Sequence, residues 1–350
     1  MTGPGSWLRS LRERMGERRF AVLVLVGLLV LAFAPLVALP AVRCEVFGDG
    51  NGCRERTALV GADPVAAPGD PLTPVAVATR GSYAALGDSY SSGVGAEASV
   101  ADQNPLARCH RTSKAYYNEV SKAFRFSKGT GFWACSGATT EDVRDGRHGE
   151  PPQLGRVGAD TSLVTMSIGG NDIGFSKVVA GCVVKLPWSK GCTEQGRSIA
   201  ENMSDLRRDL PALIADIHAR APRARIILMG YPKAFSEVNG TAGDNLSVSE
   251  QQWLNARAYD LGRLIKDAAA EADARIAARR GQGSVEFVDA YSAFAGHEVG
   301  SRDPYMNGLA VNLSALEAEP RSYHPTVNGQ HALAGLFIEQ IRKGPARPLR

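Results

Sequence analysis

Tyr83-Ala84-Ala85-Leu86-Gly87-Asp88-Ser89-Tyr90-Ser91-Ser92-Gly93 is a short apolar run that stops at a glycine and delivers a serine into a glycine-flanked turn. A serine at the carboxyl end of a buried strand can sit on a sharp turn with its hydroxyl exposed. The amides that follow then point outward, an arrangement that suits a nucleophile. Gly-Asp-Ser also occurs in ordinary strand-ending turns, so the chemical reading depends on whether the chain supplies a base and anion-stabilising donors.

Beyond this stretch the pattern alternates. Apolar runs at 83–86, 131–134, 163–168, 225–230 and 285–288 are short and bounded by Gly, Asp, Asn or Pro, as buried strands are. Longer helical patterns cover 113–126, 195–221, 249–279 and 327–342, the last with Ala332, Leu333, Leu336, Phe337 and Ile341 on one face. Strand–helix alternation predicts an α/β fold with a mainly parallel sheet covered on both faces. In such sheets sites form at the carboxyl ends of strands, where Ser89 stands. No internal repeat is evident.

The chain has 350 residues, 44% of them hydrophobic, which is ordinary for a globular protein. Its formal charge of +4 resides in residues 1–43, which hold six arginines and two glutamates; the remaining 34 basic and 34 acidic residues balance. A neutral body without a basic run argues against a nucleic-acid partner. Residues 1–19 read as a cytoplasmic basic arm. Phe20 to Val42 carries no charge, and its 23 residues suffice to cross the roughly 30 Å hydrocarbon core as a helix. The arginines before it keep the N-terminus inside and send the body outward. The length of the segment favours an uncleaved signal anchor, hence a single-pass cell-membrane protein with an extracytoplasmic body. Cleavage near Ala38-Leu39-Pro40-Ala41 is the alternative and gives secretion. Residues 43–80, with Pro64, Pro68, Pro71 and Pro74 among alanines, predict a disulfide loop followed by an extended linker, leaving 81–345 as the body.

All six cysteines lie beyond the apolar segment, and an even number in an oxidising compartment predicts three disulfides. Nearness in sequence favours Cys44–Cys53 and Cys182–Cys192, which leaves Cys109–Cys135. No Cys-x-x-Cys or His-Glu-x-x-His spacing is present, so no metal is expected.

Three further segments stand where a site in such a sheet would form. Val164-Thr165-Met166-Ser167-Ile168 ends in Gly169-Gly170-Asn171-Asp172, whose asparagine amide can donate into a crevice. Phe132-Trp133-Ala134 leads into Cys135-Ser136-Gly137-Ala138, where the Gly137 amide is unobstructed by a side chain. Ser322-Tyr323-His324-Pro325-Thr326 precedes the last helix and holds His324 just outside it. Each alone reads as a turn or loop. Together they supply the parts of acyl transfer: a serine that attacks, a histidine that takes its proton, and donors for the oxyanion.

At these residues the chain resembles the SGNH hydrolase family, also called GDSL esterases and lipases, and looks closest to its secreted actinobacterial branch. Gly87-Asp88-Ser89-Tyr90 matches the first block, Gly137 the second, Gly169-Gly170-Asn171-Asp172 the third and His324-Pro325 the fifth. Cys109-His110-Arg111-Thr112 and Ala134-Cys135-Ser136-Gly137-Ala138 match the branch. The resemblance covers roughly residues 82 to 343. It implies a three-layer α/β/α sandwich with an about five-stranded, flavodoxin-like sheet. It also implies Ser89 as nucleophile, His324 as base, and an oxyanion hole from the Ser89 and Gly137 amides with the Asn171 side chain.

Two departures stand out. Many members carry an aspartate three residues before the histidine; here that position is Arg321, whose side chain cannot accept a hydrogen bond. A Ser89–His324 dyad with the Arg321 backbone carbonyl in the third role is expected, Glu319 being a weaker acceptor. Relatives can carry another cysteine in the segment holding Ala295-Gly296-His297-Glu298-Val299-Gly300, where this chain has Gly300. His297 lacks a following helix and reads as a loop residue, and Asp172 as a brace for its loop.

The expected activity is hydrolysis of carboxylic esters of lipids or short-chain acyl groups through an acyl-enzyme. Segments 235–248 and 296–316 supply apolar residues without a tryptophan cluster for sugars. O-deacetylation of cell-envelope glycans is the alternative within the enzyme class, and a non-catalytic surface binding module on a hydrolase scaffold the alternative outside it. No cofactor is expected, and the chain is read as a monomer.

Overall fold

Strands β1 (Ser82–Gly87), β2 (Thr130–Phe132), β3 (Thr161–Ser167), β4 (Arg225–Met229) and β5 (Ser284–Val288) form one parallel sheet in the order β2-β1-β3-β4-β5. This is the flavodoxin-like doubly wound order, whose switch point lies beside β1. The structure, a computed structural model, describes residues 72–96, 108–183, 185, 191–238, 245–312 and 317–349. All of these fall within the unit Asp63–Arg350.

The central strands read as continuous apolar runs because they are covered on both faces. All seven residues of β3 and all five of β4 are buried, leaving no solvent face that would impose alternation. The covering helices are α1 (Pro74–Thr79), α2 (Ser89–Ser92), α3 (Tyr116–Ala123), α4 (Thr140–Asp145), α5 (Phe175–Val183), α6 (Gly196–Arg220), α7 (Val248–Ala278), α8 (Ala290–Ala293) and α9 (Val327–Lys343). Among them α3 pairs with α9 and α6 with α7. Local chemistry sets their starts. Ser247 and Glu250 close a reciprocal capping box on α7, as Thr139 and Asp142 do on α4. A two-stranded antiparallel ribbon, β6 (Val311–Asn312) and β7 (Glu317–Ala318), stands apart from the main sheet.

One charged pair lies in the core. Arg225 is fully buried and its guanidinium makes two bonds to Glu286, at 2.8 and 2.7 Å. Its remaining donors reach the carbonyls of Pro74, Gln340 and Ile341. The pair therefore ties α1 and the end of α9 to the start of β4 and the middle of β5. With every donor occupied, the buried charge is tolerable.

One expectation about the N-terminal region changes. The extended linker expected up to residue 80 contains helix α1: Thr73 caps it, Pro74 pre-sets its first turn, and Val77 and Ala78 are fully buried. Among the described residues no helix is long and apolar enough to span a bilayer. The two longest, α6 and α7, alternate buried and charged positions and so cover the sheet instead. The basic arm 1–19, the apolar segment 20–42 and Cys44–Cys53 lie outside the described residues. The other two disulfides, Cys109–Cys135 and Cys182–Cys192, are formed.

Candidate active site

Strand β1 ends at Gly87, and the buried side chain of Gln153 holds both its polar groups: the Gly87 amide donates to Oε1 (2.8 Å) and Nε2 donates to the Gly87 carbonyl (2.9 Å). The chain then turns at once into α2. Asp88 caps that turn by accepting the Tyr90 amide at 3.0 Å, which leaves Ser89 as its first residue. Behind the turn, the Ser167 hydroxyl donates to Asp88 Oδ1 (2.6 Å) and the Tyr231 hydroxyl to Oδ2. Burial pushes the Asp88 carboxyl up to about 6 despite these donors.

The loop entering α9 brings His324 to the serine: Nε2 lies 2.7 Å from Ser89 Oγ. The Nδ1 atom lies 2.9 Å from the carbonyl of Ser322. A carbonyl only accepts, so Nδ1 carries the hydrogen and Nε2, without one, accepts the hydrogen bond from the Ser89 hydroxyl. Desolvation lowers the imidazole to about 4, while the Ser322 carbonyl opposes this by favouring the protonated form. The ring rests against Tyr90, 5.1 Å between centroids, and the Tyr90 hydroxyl donates to the Tyr323 carbonyl at 2.8 Å.

The acceptor differs from the one expected. The Arg321 carbonyl receives the backbone amide of His324 (3.1 Å), so it closes the turn, and Arg321 Nε donates to Glu319 Oε2 at 2.6 Å. The His324 ring bonds neither of the expected acceptors but the Ser322 carbonyl. Tyr323 in the left-handed region, φ +56°, turns the chain so that the Ser322 carbonyl faces the ring.

The donors converge from neighbouring strand ends. Among the described residues, neither the Ser89 nor the Gly137 amide is engaged in a backbone hydrogen bond. Gly137 adopts φ +78°, a left-handed conformation that favours glycine. The Cys109–Cys135 disulfide and the Ser136 amide donating to the Cys109 carbonyl (3.0 Å) fix this loop. Asn171 Nδ2 donates to the Ala138 carbonyl (2.9 Å), which orients its amide beside Gly137. Asp172 braces the same two loops by accepting the amide and hydroxyl of Thr140. His297 takes no part: it stacks on Tyr305 at 3.7 Å, and its Nδ1 meets the Asp303 carbonyl.

Ser89, His324, Gly137 and Asn171 line one cavity of about 330 Å³. Its wall is largely apolar: Phe175 and Val179 of α5, Leu261 of α7, and Phe235, Leu309 and Tyr323 from loops. Sequence reasoning placed Phe235 and Leu309 near the site but missed α5 and Tyr231. The Phe175, Val178, Val179, Cys182 periodicity was the available signal for α5. Among the described residues no group of side chains could hold a metal ion.

Residues 85–332 match the GDSL-like Lipase/Acylhydrolase family. A lipase of Streptomyces rimosus is 32% identical over 252 residues, covering 71% of this chain and 82% of that protein. Among solved structures, phospholipase A1 from Streptomyces albidoflavus NA297 superposes with a TM-score of 0.61 at 32% identity, covering 74% of this chain and 99% of that one. The extracellular lipase from Streptomyces rimosus gives 0.60 at 30% identity, with the same coverage of 74% and 99%. The expected single-pass membrane location is corrected accordingly: that relative is an extracellular enzyme, and no membrane-crossing helix occurs among the described residues. A family match across most of the body, joined to lipase relatives that share a third of their residues with it, shows that this chain belongs to the GDSL-like lipase/acylhydrolase family and is a carboxylic ester hydrolase.

Proposed function

We propose that the protein hydrolyses acyl esters of lipids through an acyl-enzyme on Ser89, outside the cytoplasm. The apolar cavity that opens directly at the Ser89 hydroxyl carries this reading. An acyl chain lying along Phe175, Val179 and Leu261 leaves its carbonyl carbon beside Ser89 and its carbonyl oxygen towards the amides of Ser89 and Gly137 and the Asn171 side chain. Ser89 attacks as His324 Nε2 takes its proton, and the three donors meet the charge that develops on oxygen. The imidazolium then gives that proton to the departing alcohol. Water, deprotonated by the same nitrogen, releases the acid. The Ser322 carbonyl holds the imidazole in its Nδ1–H tautomer throughout. The names of the relatives, a phospholipase A1 and lipases, support a lipid ester as substrate.

Acetylated glycans fit the cavity less well, because no tryptophan among the described residues lines it and its wall is largely apolar. Chain-length profiling tests the assignment. Each methylene buried along the wall contributes about 0.8 kcal/mol, so kcat/KM for p-nitrophenyl esters rises roughly fourfold per carbon until the cavity is full. Highest activity on acetylated xylo-oligosaccharides or p-nitrophenyl acetate would contradict the lipid reading. Substituting Val179→Phe shortens the preferred chain and leaves acetate hydrolysis within about threefold, since the reacting centre is untouched.

A further inference from the structure

The three candidate oxyanion donors stand on separate segments, after β1, β2 and β3, and such loops need a common anchor to keep sub-ångström geometry. Tyr231, two residues beyond the end of β4, makes one. Its buried hydroxyl donates to Asp88 Oδ2, one residue before Ser89, and accepts the Gly170 amide at 2.8 Å, one residue before Asn171. Gly170 permits this approach, since a Cβ there would lie 2.9 Å from the tyrosine ring. Asn171 in turn donates to Ala138, beside Gly137. The Tyr231 ring also meets Tyr90 edge-on at 5.0 Å, and Tyr90 supports the His324 ring.

We infer that Tyr231 is a positioning residue for ester hydrolysis: its hydroxyl, shared between Asp88 and Gly170, locks the Ser89 turn and the Asn171 loop into one rigid unit. The inference rests on Ser89 acting as nucleophile. The bridge is well suited to the task because the Asp88 carboxylate is buried, where a donor to a charged acceptor is strong and directional. Without the hydroxyl, Asp88 loses a donor and the Gly170 amide loses its acceptor, so both loops relax independently. The transition state then suffers more than ground-state binding, because the oxyanion forms only on attack.

The test compares wild type with Tyr231→Phe, which keeps the ring. Fluorophosphonate titration counts active sites, steady-state hydrolysis of p-nitrophenyl butyrate gives kcat and KM, and inhibition by an alkylboronic acid reports affinity for a tetrahedral adduct. The expected result is a fall in kcat of roughly 10–100-fold per titrated site, KM within about threefold, and a parallel weakening of the boronate. A purely structural role would lower the melting temperature and leave kcat per site and boronate affinity unchanged, which overturns the inference. Asp88→Asn weakens the same bridge from the other side and carries the test if Tyr231→Phe does not fold. It should lower kcat and boronate affinity in the same way, and in combination the two effects should be less than additive. Wild-type values in Asp88→Asn would likewise overturn it. Wild-type protein that fails to label at Ser89 overturns the nucleophile assignment instead, so the two failures are distinguishable.

Discussion

His324 donates its Nδ1 hydrogen to the carbonyl of Ser322, 2.9 Å away and two residues earlier in the same loop. The group that orients the base is therefore main chain, so no side-chain substitution removes it directly. Arg321→Ala should keep kcat/KM within about threefold, since among the described residues its guanidinium pairs with Glu319. Ser322→Ala keeps the acceptor but loses the hydroxyl bonds to the Ala310 amide and carbonyl, both 3.0 Å, and should reduce kcat roughly three- to tenfold through a looser loop. His324→Ala should lose at least about 10³-fold. Steady-state kinetics of the three variants check the order. A loss in Arg321→Ala equal to that in His324→Ala would contradict it.

The lowered imidazole of His324 sets an acid limit on activity. Hydrolysis needs the neutral ring. With desolvation holding the group at about 4, the acid limb of kcat/KM should fall near pH 4, well below the 6.5 of an unperturbed histidine. The sign for stability runs the same way: the unfolded chain takes up this proton first, so the contribution is intact above pH 6.5 and is lost as pH falls towards 4. Asp88, raised to about 6 by burial, acts oppositely, its contribution present below about 3.8 and lost as pH rises through about 6. A pH–rate profile on a soluble ester, with folding followed by near-UV circular dichroism, separates the two effects.

The Cys109–Cys135 disulfide closes 26 residues and fixes the Gly137 loop. Replacing both cysteines by serine should destabilise the protein by about 3.5 kcal/mol on loop-closure grounds, read as a lower denaturation midpoint. It should also lower kcat more than KM changes, because the Gly137 amide loses its support. The Cys182–Cys192 pair at the end of α5 should instead alter chain-length preference, since α5 lines the cavity.

Arg225 opens β4 and Glu286 stands midway along β5; the pair reaches Pro74, Gln340 and Ile341 rather than the Ser89 turn. Removing one partner strands the other charge in the core, so Arg225→Met should destabilise by about 3–5 kcal/mol. Activity per folded molecule should be unchanged, measured as kcat per site titrated with a fluorophosphonate at a temperature where the variant is folded.

Much of this arrangement was legible from residue pattern. The β3 run and the α9 stripe of Leu333, Phe337 and Ile341 are set by burial, which periodicity reports directly. Ser89, Gly137, Asn171 and His324 could be singled out because each is a distinctive residue type at a strand end or helix entry. The Ser322 carbonyl could not. Every residue carries a carbonyl, and the choice between positions 321 and 322 is made by the backbone turn at Tyr323. Tyr231 was missed because its role depends on which strand ends become neighbours, a property of sheet order. Helix α1 was masked by its prolines, although Thr73-Pro74 is a competent helix start.

The central claim, that Ser89 is the nucleophile for ester cleavage, is tested most directly by mass spectrometry of protein treated with a fluorophosphonate, with Ser89→Ala alongside. A single adduct on Ser89 is predicted, absent from the variant, together with a fall in kcat of at least about 10³-fold while the melting temperature is retained. An adduct on another residue, or ester turnover unchanged in Ser89→Ala, would contradict the account.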